Sequence, residues 1–358
     1  MSYTPSDTKS QEARRLLPAE WAPQSGVMFT WPRPDCAWGP HQLAAVERTL
    51  ATAAAAISRR QLVLISCEDE AHCAHVRTLI ESAGGQSERI RCRIVPSNDV
   101  WVRDHGPITV FENGAPLLLD FVFNGWGGKY PAEHDNRLTR TLHAAGAFGQ
   151  TPLASIDLVL EGGSLESDGE GTLLTTSNCL LHPGRNPGLS REQIEARLRA
   201  TLGVERVLWL EHGWLAGDDT DGHIDMLARF CTPDTIAYTA CNDPADEHYA
   251  ELAAMKEELE ALRDRNGRPY RLLPLPLPEA RYDDEGQRLP ASYANFLIIN
   301  GAVLVPVYDD PAADAAALET LRGACPGHAV EAIPALPLIH QYGSLHCATM
   351  QLPLGVLA

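Results

Sequence analysis

A rhythm of apolar strand, turn, strand and helix runs through this chain, and that repetition limits the fold more than any single segment does. Gly26 to Pro32 reads as a strand running into the loop WPRPDCAWGP, followed by an Ala- and Leu-rich helix over 41–58 and a strand over 61–66. A second helix over 70–83 stops at Gly84-Gly85, and Arg91 to Pro96 is a strand again. Further strands are expected at 108–111, 117–123, 156–160, 172–177, 206–210, 225–230, 235–239, 270–274, 295–299, 302–306, 329–333 and 347–352. Helices are expected at 134–146, 190–202, 245–265 and 312–324, the second opened by Ser190 with Glu192 and Gln193 in its first turn. Asp104, Glu161 and His223 lie 57 and 62 residues apart, each beside a short strand and a turn. A ring of similar units, each sending one loop inward, would bring the three together. The alternative is a doubly wound α/β sheet, although no glycine fingerprint for a dinucleotide or phosphate loop is present.

Charge and cysteine content narrow the function classes. The 358 residues carry 47 acidic against 29 basic side chains, a formal charge of −18, which argues against nucleic-acid binding and favours small cations. Nine cysteines, an odd number with no Cys-x-x-Cys pair, do not make a disulfide scaffold and point to a reducing, cytoplasmic setting. Cys36, Cys67, Cys73 and Cys92 are scattered and read as small buried hydrophobes. No signal peptide is visible and no apolar run reaches 18 residues, so no membrane span is expected. Residues 1–17 are polar enough to be flexible, with structure beginning near Trp21; length alone suggests two or three domains, although a closed fold would make residues 18–358 a single one.

Four segments concentrate chemistry. NDVWVRDHGP places Asp104 beside Arg103, and on an extended chain the two face opposite ways, one toward a cavity and one toward its supporting shell. Glu161 follows the apolar strand Ile156 to Leu160 and precedes Gly162-Gly163, where backbone can approach a ligand closely. His223 and Asp225 are two apart and share a face of an extended segment, so the carboxylate can orient the ring and raise its basicity. Cys347 follows a Gly-Ser turn in GSLHCAT, a better place for a reactive sulfur than the middle of a hydrophobic strand. A divalent ion held by His223, Asp225, nearby acids and His346 with Cys347 is the rival reading, but no His-x-His or HExxH pattern completes a set. Thiol, imidazole and carboxylates together suit a guanidinium. Carboxylates pin its N–H edges, the thiolate attacks the central carbon, and the histidine protonates departing ammonia and then activates water. This route needs no cofactor and no metal.

From about Leu17 to Pro353 the chain resembles the agmatine deiminase family, in the peptidyl-arginine deiminase-like group of guanidino-group-modifying enzymes. The resemblance rests on LPAEWAPQSGVMFTWP, NDVWVRDHGPITV, FNGWGGKY, LVLEGGSLESDGEGTLLTTSNCLL, HPGRNPGLS, GDDTDGHIDMLARF, ASYANFLIINGAVLVPVYDDP and GSLHCATMQLP, in that order. It implies an α/β fold, a five-bladed β/α propeller of pseudo-fivefold symmetry with a central site. It also implies Cys347 as nucleophile, His223 as general acid and base, Asp104 and Asp225 on the guanidinium, and Glu161 holding substrate and tuning the histidine. The implied reaction hydrolyses agmatine to N-carbamoylputrescine and ammonia, in polyamine synthesis. Family members often form dimers, so the resemblance allows a homodimer. The chain departs from the family pattern at Asn98-Asp99, at His105 and at His340 to Leu345, which bears on the pocket for the substrate's far end. Trp31, Asp35, Trp101, Trp126 and Tyr130 are candidates to hold an ammonium there, and Arg33, Arg103, Lys129 and Arg185 are available for a carboxylate. Arginine, free or in a peptide, is therefore the alternative substrate, and a silent guanidine-binding protein the alternative class.

Overall fold

A computed structural model describes residues 14–357. Its sheets repeat one pattern: an antiparallel strand pair, a helix, and a third strand parallel to the second. Ile108–Glu112 and Ala115–Val122 pair antiparallel, helix Asp135–Ala144 crosses over, and Leu153–Val159 joins parallel. Glu166–Ser167, Thr172–Thr176, helix Arg191–Leu202 and Arg206–Leu210 repeat it, as do Ala228–Thr232, Thr235–Ala240, helix Tyr249–Ala261 and Arg271–Pro276. Leu297–Ile299, Ala302–Val307, helix Pro311–Ala324 and Ala329–Pro334 form the fourth unit. The fifth joins the two ends of the chain. Met350–Pro353 pairs antiparallel with Gln24–Thr30, helix Gly39–Ser58 crosses to the parallel strand Leu62–Cys67, and helix Glu70–Ser82 leads to Ile90–Ile94. Five helix-flanked sheets, closed by pairing the last strand onto an early one, make the five-bladed α/β propeller.

The helices form where apolar residues recur every three or four positions. Helix Asp135–Ala144 buries Asp135, Leu138, Thr139 and Leu142, and helix Arg191–Leu202 buries Ile194, Leu198 and Leu202. Each fully buried aliphatic side chain contributes about 1.5–3 kcal/mol. Helix Arg191–Leu202 is bounded as its sequence dictates. Ser190 and Gln193 close a capping box, and Gly203 takes the left-handed conformation (φ 71°) at the other end.

Several local expectations are corrected. Arg15–Leu16 is a strand on the edge of the Ile108–Val159 sheet, paired with Phe111–Glu112, so order begins before Trp21; residues 1–13 lie outside the described residues. Helix Tyr249–Ala261 starts later and ends earlier than the expected 245–265. Asp104 sits in a helical turn, Val102–His105, rather than on extended chain. Ile224–Met226 is a 3-10 turn with His223 at its start, and the last strand begins at Met350, after a turn that contains Cys347. At Asp104, His223 and Cys347 alike, a segment expected to be strand, or extended, turns inward before its strand begins. No helix among the described residues is long and apolar enough to cross a membrane.

Replacing Ser190 with Ala should lower unfolding free energy by about 1 kcal/mol, because the cap alone is lost. Chemical denaturation should show this with steady-state kinetics unchanged.

Candidate active site

Each unit's first strand is preceded by a residue that reaches the centre. Asp104 comes before Ile108, Glu161 before Glu166, His223 and Asp225 before Ala228, Asn295 before Leu297, and Cys347 before Met350. All six are buried. Asp104, His223, Asp225 and Cys347 line one cleft of about 480 Å³, with Asp99, Trp101, Trp126, Tyr130, Asp219 and Tyr342. A second cavity of about 550 Å³, lined by Glu20, Arg103, Glu166 and His346, does not reach the thiol.

Gly163 is what lets the catalytic groups converge. A Cβ there would stand 2.5 Å from His223 Nδ1, 2.7 Å from Asp104 Oδ1 and 3.2 Å from Asp225 Oδ2. Its own N–H donates to Asp104 Oδ1 at 2.9 Å, while Trp126 Nε1 donates to Asp104 Oδ2 at 3.0 Å. Trp126 is held in the left-handed region (φ 54°), a conformation costly for a bulky residue, which aims its indole at that carboxylate.

Glu161 does not line the cleft. Arg185 Nε donates to both its oxygens at 3.0 and 2.8 Å, and His223 Nε2 lies 2.9 Å from Oε2. It therefore orients the histidine from behind. His223 Nδ1 faces the cleft, 3.6 Å from Asp104 Oδ1, with no hydrogen-bond partner. Cys179, a thiol that the sequence reading passed over, sits 3.8 Å from the same Glu161 oxygen. Glu161, Cys179 and His223 have the donor atoms for a metal site. The Arg185 guanidinium already supplies the positive charge that this carboxylate needs, so the donor set fits an ion poorly.

Cys347 Sγ lies 3.7 Å from Asp225 Oδ2 and 3.2 Å from Asn295 Nδ2. The N–H groups of His346 and Cys347 both point at Asn295 Oδ1, at 2.8 and 3.3 Å, which fixes the amide with its nitrogen toward sulfur. Asp225 Oδ2 is also bonded to His346 Nδ1 at 2.8 Å, and His346 Nε2 reaches Glu20 Oε2 at 2.7 Å. Arg229 braces Glu20 at 3.0 Å and also contacts Glu166. The other Asp225 oxygen, Oδ1, is buried without a partner.

Burial and charge set the protonation states. Burial pushes the Cys347 thiol well above its ordinary range, and Asp225 and Asp104 push it further. For His223 burial works downward, but Asp104, Cys179 and Glu161 outweigh it and leave the ring well above its usual value. Burial raises Asp104, with Asp225 and Glu161 adding to the rise and His223 opposing it. For Asp225 burial also works upward, yet His346 holds the carboxyl below its ordinary value. These directions favour a neutral thiol beside an imidazolium, with the carboxyl groups of Asp104 and Asp225 facing the space between.

Two expected residues do not join them. Trp31 is fully buried in the fifth unit, its Nε1 donating to Glu47 at 3.1 Å. Asp35 has a side chain 74% exposed and pairs with Arg33. Trp101 and Trp126 do line the cleft, Trp101 packed so tightly on Gly343 that a Cβ there would stand 2.6 Å from its ring. Asn295 and Glu20 were missed by sequence reasoning, while Arg185, expected to be available for a substrate carboxylate, braces Glu161, and His346, weighed as a metal ligand, bonds Asp225 and Glu20. Asn295 had a signal: its unit alone lacked an assigned polar residue just before its first strand.

The rate of alkylation of Cys347 in the substrate-free protein should climb about tenfold per pH unit up to and beyond pH 9, since thiolate is the reactive form. Peptide mass spectrometry resolves this site from the other cysteines. A plateau near neutral pH would contradict the resting state described above.

Residues 16–353 match the family model for Porphyromonas-type peptidyl-arginine deiminase. The agmatine deiminase of Stutzerimonas stutzeri is 35% identical, over 94% of this chain and 95% of that protein. A crystal structure from Porphyromonas gingivalis, described as that of the “Putative Arginine Deiminase”, is 51% identical with a TM-score of 0.90, covering 96% of this chain and 100% of that one. The agmatine deiminase of C. jejuni with substrate bound is 35% identical with a TM-score of 0.88, over 98% of both chains. The matched region spans all five blades and every group at the centre, so the chain belongs to the Porphyromonas-type peptidyl-arginine deiminase family.

Proposed function

We infer that this chain is an agmatine deiminase, hydrolysing agmatine to N-carbamoylputrescine and ammonia. The observation that carries the choice of substrate is the cleft's charge. Asp99, Asp104, Asp219 and Asp225 line it, and no lysine or arginine among the described residues does. Two of these acids, Asp104 and Asp225, belong to the reacting end. Asp99 and Asp219 remain for the far end, with Trp101 and Tyr130 beside them. An ammonium tail is attracted by such a wall, whereas the carboxylate of arginine would meet like charge with no cation to answer it. Lys129 and Arg185, the nearby cations, are committed to Asp221 at 2.8 and 2.7 Å. Arg33 is held by Ser97 O at 2.9 Å.

The mechanism follows from the resting charges. A guanidinium entering between Asp104 and Asp225 relieves the buried negative charge that keeps the thiol protonated. A unit charge about 4 Å from sulfur at an effective dielectric near 20 is worth about 4 kcal/mol. That favours thiolate by roughly a thousandfold, and the thiol proton leaves to solvent. The thiolate attacks the central carbon to give a tetrahedral adduct. His223, already an imidazolium, gives its Nδ1 proton to one terminal nitrogen, and ammonia leaves with cleavage of its C–N bond. An S-alkylthiouronium on Cys347 remains. Neutral His223, oriented through Nε2 by Glu161, takes a proton from water as its oxygen adds to the carbon. The C–S bond then breaks and releases the ureido product.

Agmatine should exceed arginine in kcat/KM by about a hundredfold or more, as expected for several kcal/mol of like-charge repulsion. Ammonia and ureido product formed from each substrate measure this, and an equal or faster rate with arginine would overturn the assignment. Burial, with repulsion from Asp135 and Asp219 and against the Val100 N–H, lifts Asp99 to about 7. Its ionised form attracts the tail, so the KM for agmatine should fall as pH rises through that value. Asp99→Asn should raise KM about tenfold at higher pH with little change in kcat and remove that dependence, because it deletes binding common to ground and transition states.

A further inference from the structure

Cys67, Cys73 and Cys92 converge in the fifth unit, which joins the two ends of the chain, outside the catalytic cleft. Cys67 ends strand Leu62–Cys67, Cys92 lies in strand Ile90–Ile94, and Cys73 is on the buried stripe of the helix that connects them. Their three sulfur atoms all lie within 4.8 Å of one another. We propose that these three thiols form a trigonal site for a soft monovalent metal ion of the Cu(I) type.

The backbone register favours a bridging ion over a disulfide across the strands. Cys92 is paired with Ile65, and Cys67 with Ile94. Cys67 and Cys92 are therefore diagonal neighbours on one face, with backbones roughly 8 Å apart for ordinary strand spacing and rise. A disulfide needs Cα atoms closer than about 7 Å, so this pair cannot close without shifting the sheet. An ion centred between three sulfurs spaced up to 4.8 Å lies about 2.8 Å or less from each. Movements of about half an ångström bring all three to the ~2.3 Å of a metal–thiolate bond. The donor set is sulfur only and three-fold, which selects a soft, low-coordinate ion over magnesium, calcium or a four-coordinate zinc.

Access and charge balance are also present. Cys92 is partly exposed, and Cys67 lines a small surface cleft with Trp31, Arg33, Glu68 and Ser97. Binding one monovalent ion to three thiols releases three protons and leaves two negative charges. Two guanidinium groups stand along the same strand: Arg93 Nη1 donates to Cys92 O at 2.9 Å, and Arg77 Nη1 to Ile90 O at 3.1 Å. None of the three cysteines lines the catalytic cleft, so the site is separate from turnover.

The test uses the whole reduced chain, loaded with Cu(I) without oxygen and challenged with a competing Cu(I) chelator. One copper should be retained per chain, with X-ray absorption showing three sulfur neighbours. Cys92→Ser and Cys73→Ser should each weaken retention about a hundredfold or more while leaving deiminase turnover unchanged. Cys347→Ser should keep the copper. Equal retention by the wild type and both serine variants of the trio, or loss of copper in Cys347→Ser, would overturn the proposal.

Discussion

Negative charge buried at the propeller axis is the constraint on which the rest depends. Asp104 and Asp225 face the space beside Cys347 with no water-sized exposure of their own, and burial makes such charge expensive unless a cation answers it. His223 answers part of it, being held protonated by Asp104 and by the Cys179 and Glu161 pair behind it. The thiol bears the remainder by staying neutral. In the proposed function a guanidinium completes the balance and converts the thiol into a nucleophile in one event, so reactivity is expected only with substrate in place.

The propeller makes that arrangement affordable in structural terms. Each loop before a first strand carries only one or two polar groups inward, and each group is braced within the adjoining blades. Arg185 holds Glu161 and Asp221, His346 joins Asp225 to Glu20, and Arg229 joins Glu20 to Glu166. The Arg103 N–H donates to the Cys347 carbonyl at 3.1 Å, tying the nucleophile's turn to the neighbouring Asp104 turn. Closure of the ring, Met350–Pro353 onto Gln24–Thr30, sets the position of Cys347 three residues upstream.

Much of this was legible in the sequence for identifiable reasons. Periodic burial and caps marked the long helices, as Ser190, Gln193 and Gly203 show for one of them. The spacing of Asp104, Glu161 and His223 anticipated a ring because each precedes the same strand of its unit. Their local backbone was less legible. Alternation patterns do not distinguish a strand from the inward turn just before it, so the turns at 102–105, 224–226 and 345–348 were taken for extended chain or strand. Proximity to a motif suggests Trp31 and Asp35 for the cleft, but strand Gln24–Thr30 runs Trp31 into the core of the fifth unit. Glu20 and the bracing role of Arg185 were hidden because a brace has no local pattern; its meaning lies in a partner tens or hundreds of residues away.

The central claim is that Cys347 forms a covalent bond to the guanidinium carbon. Rapid acid quenching of the enzyme during turnover of agmatine, followed by peptide mass spectrometry, tests it directly. The account predicts a transient increment equal to agmatine less ammonia, on the peptide that contains Cys347 and on no other cysteine. Steady turnover with that peptide unmodified at every time point, or the increment on Cys179 instead, would contradict it.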